Sequence, residues 1–446
     1  MDILFKNITA VTMTNSKPEG NQTQEPNTLY NVDVCVSERK ISHIAPTSED
    51  ILQKTKPSTR IIDGTHKVLM PGLYNCHSHA AMAMFRGFAN DRSLEDWLFN
   101  HIFLAESKWT PELLRIGAEL AIAEMIASGT VSFTDMYSLA NTTAEVAHEV
   151  GVMANISNGI IAFDKDSYDY YKDQVYDQTK RVLDEFHNKH DGRIKVDASI
   201  HGAYTSFPPA WSQVLEFAKE HDLGMHVHLS ETKTEQENCI KTFGKTPTKI
   251  FAEYGVFDVP TLAAHGVWVT DDDIEILAEK NVTIAHNPLS NLKLASGLAP
   301  IQKIKDAGIN VALGTDGVAA NNSHDLFEEM KMASLLQKYA NSNPTALPAL
   351  QTLQMATVNG AKSQGRGHES GIIKEGYDAD IIMLDFNNPR QTVCYDPVIN
   401  LAYATSGRDV EMTMCRGKIL YEKGEFKTLD IEKTLHNARK AKQAFL

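Results

Sequence analysis

Residues 70–80 read Met-Pro-Gly-Leu-Tyr-Asn-Cys-His-Ser-His-Ala. Pro71 and Gly72 punctuate the entry, and the short run behind them ends in two histidines separated by one residue. Side chains alternate faces along a strand, so His77 and His79 project to one side while Cys76 and Ser78 point to the other. Two imidazoles side by side can chelate one divalent cation at about 2.0–2.1 Å each. Taken alone, the pair is as compatible with chance neighbours as with a chelate, because short motifs carry a real false-positive risk. Ligands at the ends of other strands decide between the two.

Outward from this stretch, short apolar runs alternate with helical patterns, the signature of βα units and a parallel sheet. The runs predict strands at 73–79, 131–136, 152–160, 194–201, 224–230, 261–267, 282–286 and 310–315. Eight is the number a closed (β/α) barrel requires. Helical stretches lie between them: 111–129 has apolar residues recurring at three and four and stops at Gly129, and 298–308 behaves alike. Residues 326–340 and 349–365 read as closing helices. The flanks read differently. Residues 3–13 and 30–46 alternate loosely as β, with a polar loop at 15–27 between them, and β texture returns from about Gly371, ending in a helix at 430–446. The expectation is a (β/α)8 TIM-like barrel inserted in a small composite β-sandwich formed by both termini: residues 1–68 and 369–446 make the sandwich, and 69–368 make the barrel.

At 446 residues the chain accommodates such a barrel with an accessory domain. A hydrophobic content of 42% and a charged content of 22% are those of an ordinary globular protein. The net charge of −14 disfavours nucleic acid or an anionic membrane, which need a basic stripe. Five scattered cysteines without a C-x-x-C pair fit a reducing compartment. The first residues lack a signal-peptide pattern, and no apolar run approaches the roughly 18 residues of a membrane span. A cytoplasmic protein acting on a small molecule is the resulting expectation.

Active sites of such barrels sit at the C-terminal ends of the strands. Ligand-capable residues end most of the predicted strands: His77 and His79, Asp135, His201, His226 and His228 with Glu231, His265 and Asp316, while His286 follows the seventh. Any one of these histidines is more simply a hydrogen-bonded core residue. The whole set at one rim is not so explained. Three or four such ligands with an open position make a hydrolytic metal site, in which bound water reaches a pKa near 7. Imidazole and carboxylate suit zinc or ferrous iron, and no thiolate is placed to join them.

The motifs PGLYNCHSHAAMAMFRGFANDRSLEDWL (71–98), HVHLSE (226–231), AAHGVW (263–268), HNPLSN (286–291) and GTDGVAANNS (314–323), in this order and spacing, resemble the amidohydrolase superfamily. More narrowly they resemble its branch of 5′-methylthioadenosine/S-adenosylhomocysteine deaminases. The resemblance spans nearly the whole chain, including GIIKEGYDADIIMLD (371–385). It implies one divalent metal ion per chain, zinc or else ferrous iron, on His77, His79, His228 and Asp316, with His226 structural. It makes Glu231 the proton shuttle for the ring nitrogen and the leaving ammonia, and His265 the residue holding the attacking hydroxide. His201 becomes a substrate-side contact, Glu106 the carboxylate gripping the ribose hydroxyls, and Trp97 a wall of the pocket. Glu231 and Asp316 are also expected to touch substrate. The family is often homo-oligomeric, though nothing in these residues marks an interface.

Two positions depart from the pattern: Asn158 stands where an arginine is common after the third strand, and Ala320 precedes Asn321 and Asn322. A binuclear cyclic amidase would place a lysine at the end of the fourth strand; here Lys195 begins it and His201 ends it. Hydrolases of other aromatic N-heterocycles, of guanine, pterin or triazine type, share the same metal core and remain the alternative. A non-catalytic scaffold is the rival from another class, opposed by the intact ligand set and Glu231.

Overall fold

The computed structural model describes residues 2–14, 27–53, 55–164 and 168–445; of the polar loop expected at 15–27, all but Asn27 lies outside them. The strands before the histidine pair are β1 (Ile3–Val11), β2 (Thr28–Ser37), β3 (Lys40–Pro46), β4 (Arg60–Asp63) and β5 (Lys67–Pro71). At Gly72 the chain leaves this sheet and enters β6 (Leu73–Ser78). A Cβ at position 72 would lie 2.3 Å from Val131 Cγ1, so this crossing needs a glycine.

From β6 onward, β7 (Thr130–Met136), β8 (Met153–Ser157), β9 (Ile194–Ile200), β10 (Gly224–Leu229), β11 (Thr261–His265), β12 (Thr283–His286) and β13 (Val311–Leu313) pair in sequence order, each parallel to the next. The ring closes where the N–H groups of Thr315 and Asp316 donate to the His77 carbonyl at 3.1 and 2.9 Å. These strands read as unbroken apolar runs because both faces are covered, one by the barrel interior and one by helices. All seven residues of β7, for instance, are buried.

The last strands, β14 (Ile381–Asp385), β15 (Val410–Cys415), β16 (Lys418–Glu422) and β17 (Glu425–Phe426), return to the first sheet. β14 runs antiparallel to β5, with Met383 opposite Leu69, giving the order β17-β16-β15-β14-β5-β1-β2-β3, with β4 parallel to β1. Phe5, Ile8, Val34, Leu69, Met383 and Met412 enter one buried apolar cluster, so both ends of the chain supply the core of a composite β-domain.

Several barrel strands stop one to three residues before the sequence pattern predicts. Ser230, His265 and Asp316 have φ of +48°, +77° and +60°. This left-handed region is costly for residues with a Cβ, and it turns the chain out of the ladder at the barrel mouth. The helix at Pro111–Ala127 starts as expected: Pro111 is its first residue and Thr110 Oγ1 accepts from the Leu113 N–H at 3.2 Å. The predicted helix at 298–308 is shorter, Ile301–Asp306. The one at 349–365 breaks at Thr357 (φ −126°, ψ −90°), whose hydroxyl bonds back to the Leu353 carbonyl at 2.6 Å. All five cysteines are free thiols. No helix among the described residues is long and apolar enough to cross a membrane.

Candidate active site

The ends of β6, β10, β11 and β13 bring His77, His79, His228, His265 and Asp316 together in the barrel mouth. One donor atom from each of His77, His79 and Asp316 lies within 4.8 Å of the others, and so do those of His77, His228 and His265. Hydrogen bonds fix which nitrogen faces inward. His79 Nδ1–H donates to the Met136 carbonyl at 2.6 Å and His228 Nδ1–H to the His201 carbonyl at 2.6 Å, so each ring turns its Nε2 lone pair to the centre. For His77 the orientation comes through a relay. Ser157 Oγ–H donates to the Asp135 carbonyl at 2.9 Å, leaving its oxygen to accept from His226 Nδ1–H at 3.2 Å. His226 Nε2 then accepts from His77 Nδ1–H at 3.0 Å. His226 is therefore one repeat deeper and orients a neighbour, as its place in the strand suggests.

Three imidazoles and a carboxylate with inward lone pairs are a donor set that fits a divalent cation. His77 Nε2 is fully buried and has no hydrogen-bond partner, while Asp316 Oδ1 lies 3.5 Å from it and 3.2 Å from His79 Nε2. Burial acts to raise the Asp316 carboxyl, but the two rings overcome it and hold it well below the usual range. Burial disfavours charge on His79, yet Asp316 and the Met136 carbonyl push it up to about 9, whereas burial brings His77 down to about 4. Ser290 Oγ donates to the second carboxylate oxygen of Asp316 at 2.6 Å and fixes its plane.

Glu231 lies beside this cluster, with Oε2 3.7 Å from His265 Nε2 and Oε1 accepting from Ser296 Oγ at 3.4 Å. Burial raises its pKa, and the neighbouring His265 ring acts against that rise. The turn carrying it is held by Glu235, which accepts from the N–H groups of Ser230 and Glu231 at 3.2 and 2.6 Å. His265 Nδ1 is 2.8 Å from Asn291 Oδ1, which sets its ring so that Nε2 faces Glu231.

A pocket of about 710 Å³, counting the part open to solvent, extends from the cluster. Trp97, Glu106, Asn158 and His201 all line it. His201 is held at Nδ1 by Thr205 Oγ1 at 3.0 Å, and burial brings its pKa down to about 3. Asn158 donates through Nδ2 to Gln178 Oε1 at 2.8 Å. Glu106 is half-buried and accepts from the Tyr137 hydroxyl; burial outweighs that bond and raises it to about 7. Trp97 and Glu106 are nine residues apart, which in a regular α-helix means opposite faces, about 180°. A π-helical stretch, Leu98–Ile102, lies between them, and both reach one pocket. Such wide turns concentrate at functional sites.

Four of the residues named at strand ends, His77, His226, Asp135 and His286, do not line the pocket. Asp135 turns sideways and accepts from the Ala80 N–H at 2.6 Å, bracing the turn after His79. His286 is buried and does not line the pocket, and burial pushes its pKa down to about 3. Conversely, sequence reasoning assigned nothing to Tyr137, Ser290, Asn291 or Glu235. Ser290 and Asn291 stand inside the quoted HNPLSN run, and Tyr137 directly follows the end of β7, so their positions were visible although their partners were not.

The model of the Amidohydrolase family matches residues 68–420 of this chain. A 5-methylthioadenosine/S-adenosylhomocysteine deaminase of Thermoanaerobacter pseudethanolicus is 40% identical over 99% of this chain and 98% of its own length. A 5′-deoxyadenosine deaminase of Methanosarcina mazei is 41% identical over 99% and 97%. Among solved structures, an adenosine deaminase from Xanthomonas campestris with bound zinc superposes with a TM-score of 0.90 at 30% identity, covering 100% of this chain and 98% of that one.

Proposed function

The chain belongs to the amidohydrolase family, and on that premise we propose that it hydrolytically deaminates an adenosine-type nucleoside. Water adds to the ring carbon that bears the amino group, ammonia leaves, and the inosine analogue remains. A divalent metal ion belongs to this site, zinc being our choice of ion, and His77, His79, His228 and Asp316 would hold it. When bound, such an ion makes water a nucleophile at neutral pH.

The chain's own residues divide the remaining work. Glu231, raised by burial, carries a proton to the ring nitrogen and then to the departing amine, so it alternates between acid and carboxylate. His265 and Asp316 flank the reacting carbon and position the attacking water, His265 through the ring orientation set by Asn291. A zinc site with a separate glutamate divides the same labour in base deaminases of another fold. Trp97 and His201 hold the base, and Glu106 accepts from the ribose 2′- and 3′-hydroxyls. The observation that carries the nucleoside reading is Glu106: a half-buried carboxylate in the same pocket as the metal donors, where a vicinal diol offers two donors at once.

The test is ammonia release across adenosine, 5′-methylthioadenosine, 5′-deoxyadenosine, S-adenosylhomocysteine, adenine and guanine, with metal analysis of the same sample. Nucleosides should exceed free bases, with about one divalent ion per chain. A preference for guanine would replace this reading by that of another aromatic N-heterocycle.

A further inference from the structure

Behind the wall that carries Glu106, three aromatic residues from distant parts of the chain meet. The last helix, Ile431–Ala441, is tied to the helix at Pro111–Ala127 by Thr434 Oγ1, which donates to Glu119 Oε2 at 3.1 Å. It continues into a 3-10 turn, Lys442–Phe445, that delivers the Phe445 ring into a buried apolar cluster. Phe445 lies edge-to-face on Trp109, centroids 4.8 Å apart, and on Phe85 at 4.9 Å. Trp109 in turn donates its indole N–H to the Tyr137 oxygen at 3.0 Å.

The direction of these bonds follows from chemistry. An indole nitrogen only donates, so the Tyr137 oxygen accepts from Trp109 and its single O–H is committed elsewhere. It is committed to Glu106 Oε1. We infer that Phe445, Trp109 and Tyr137 form a positioning relay, through which the C-terminal turn holds the Glu106 carboxylate in the attitude that receives the ribose diol. Phe445 fixes the plane of the indole, the indole fixes the phenol proton, and the phenol leaves the outer oxygen of Glu106 for the substrate. Charge-assisted bonds of this kind depend on geometry, and a small misplacement of a positioning group weakens them.

This inference rests on the role of Glu106 in the proposed function. The test therefore compares two substrates, adenosine and 2′,3′-dideoxyadenosine, in wild type, Glu106→Ala, Trp109→Phe, Phe445→Ala and the double variant Glu106→Ala/Phe445→Ala. Trp109→Phe keeps the ring packing but removes the N–H donor, so it isolates the hydrogen bond from the fold. Phe445→Ala and Trp109→Phe should each raise KM and lower kcat/KM for adenosine roughly 3- to 10-fold, the worth of one hydrogen bond. They should leave kcat, metal content and all constants for the dideoxy analogue close to wild type. In the Glu106→Ala background, Phe445→Ala should have no further effect. If Glu106→Ala discriminates between the substrates but neither relay variant does, or if both substrates suffer equally, the relay is wrong and Glu106 keeps its role. If Glu106→Ala itself fails to discriminate, both readings fall.

Discussion

Glu231 and Glu106 are both carboxyls that burial raises, and the proposed function gives them opposite tasks. Glu231 faces His265 and the donor cluster, and in the proposed reaction a proton comes and goes there. Glu231→Gln keeps the shape and loses the exchangeable proton, so metal content should persist while turnover falls by the roughly 10²–10⁴-fold typical of general acid–base groups. Atomic absorption beside steady-state kinetics checks this; a variant that loses its metal would make Glu231 a ligand instead. In its proposed role Glu106 must be ionised to accept from two hydroxyls. Its pKa in the folded protein is raised, to about 7, so the carboxylate is present above that pH and is protonated below it. The pH profile of kcat/KM, which reports the free enzyme, should therefore fall for adenosine as pH drops through about 7. The profile for 2′,3′-dideoxyadenosine should lack this limb, and coincident profiles would remove Glu106 from diol recognition.

The helix at Pro111–Ala127 shows how an element far from the chemistry places it. Gly117 lets this helix close on the 3-10 turn Ala80–Phe85 that follows His79: a Cβ there would lie 2.4 Å from the Ala81 carbonyl oxygen and 3.0 Å from Ala81 Cα. Both are backbone atoms and have no rotamer to retreat into. Gly117→Ala gains up to about 1 kcal/mol of helix propensity and loses about 1–3 kcal/mol to overpacking. Net destabilisation in urea titration is the expected outcome; a more stable variant would show that the turn has slack. Elements of this kind were legible in part. The periodicity of 111–129 predicts the helix, and the Thr110 cap at its start was seen only in the structure. The π-helical Leu98–Ile102 carries no comparable pattern, because its wide turn depends on what it packs against.

At the scale of the molecule, the donor cluster joins four barrel strands, β6, β10, β11 and β13, at the mouth of a ring closed by bonds to the His77 carbonyl. A cation bound there stabilises only the folded chain, by RT ln(1 + [L]/Kd), about 4 kcal/mol when the free ion is at 1,000 times Kd. Chelation should lower the calorimetric Tm and abolish ammonia release, and added zinc should restore both. A Tm indifferent to chelator and zinc would deny the cluster its role as a cation site. The composite sheet belongs to this scale as well, since β14 reaches β5 across more than 300 residues of chain and only their pairing makes one core of the two ends.

Strand count, the order of βα units, the return of β texture at both ends and the rim position of His77, His79, His228, His265 and Asp316 follow from the sequence alone. These are properties of local periodicity and strand direction, and both are written in neighbouring residues. Only the tertiary structure decided that Asp135 turns aside and that His286 is buried outside the pocket lining. It alone joined His77 to His226, Asp316 to Ser290, and Glu106 through Tyr137 and Trp109 to Phe445. Those partners lie between 26 and more than 300 positions apart, and their meeting depends on register, barrel closure and helix docking. No short-range pattern encodes those three, because each is settled by packing over the whole chain.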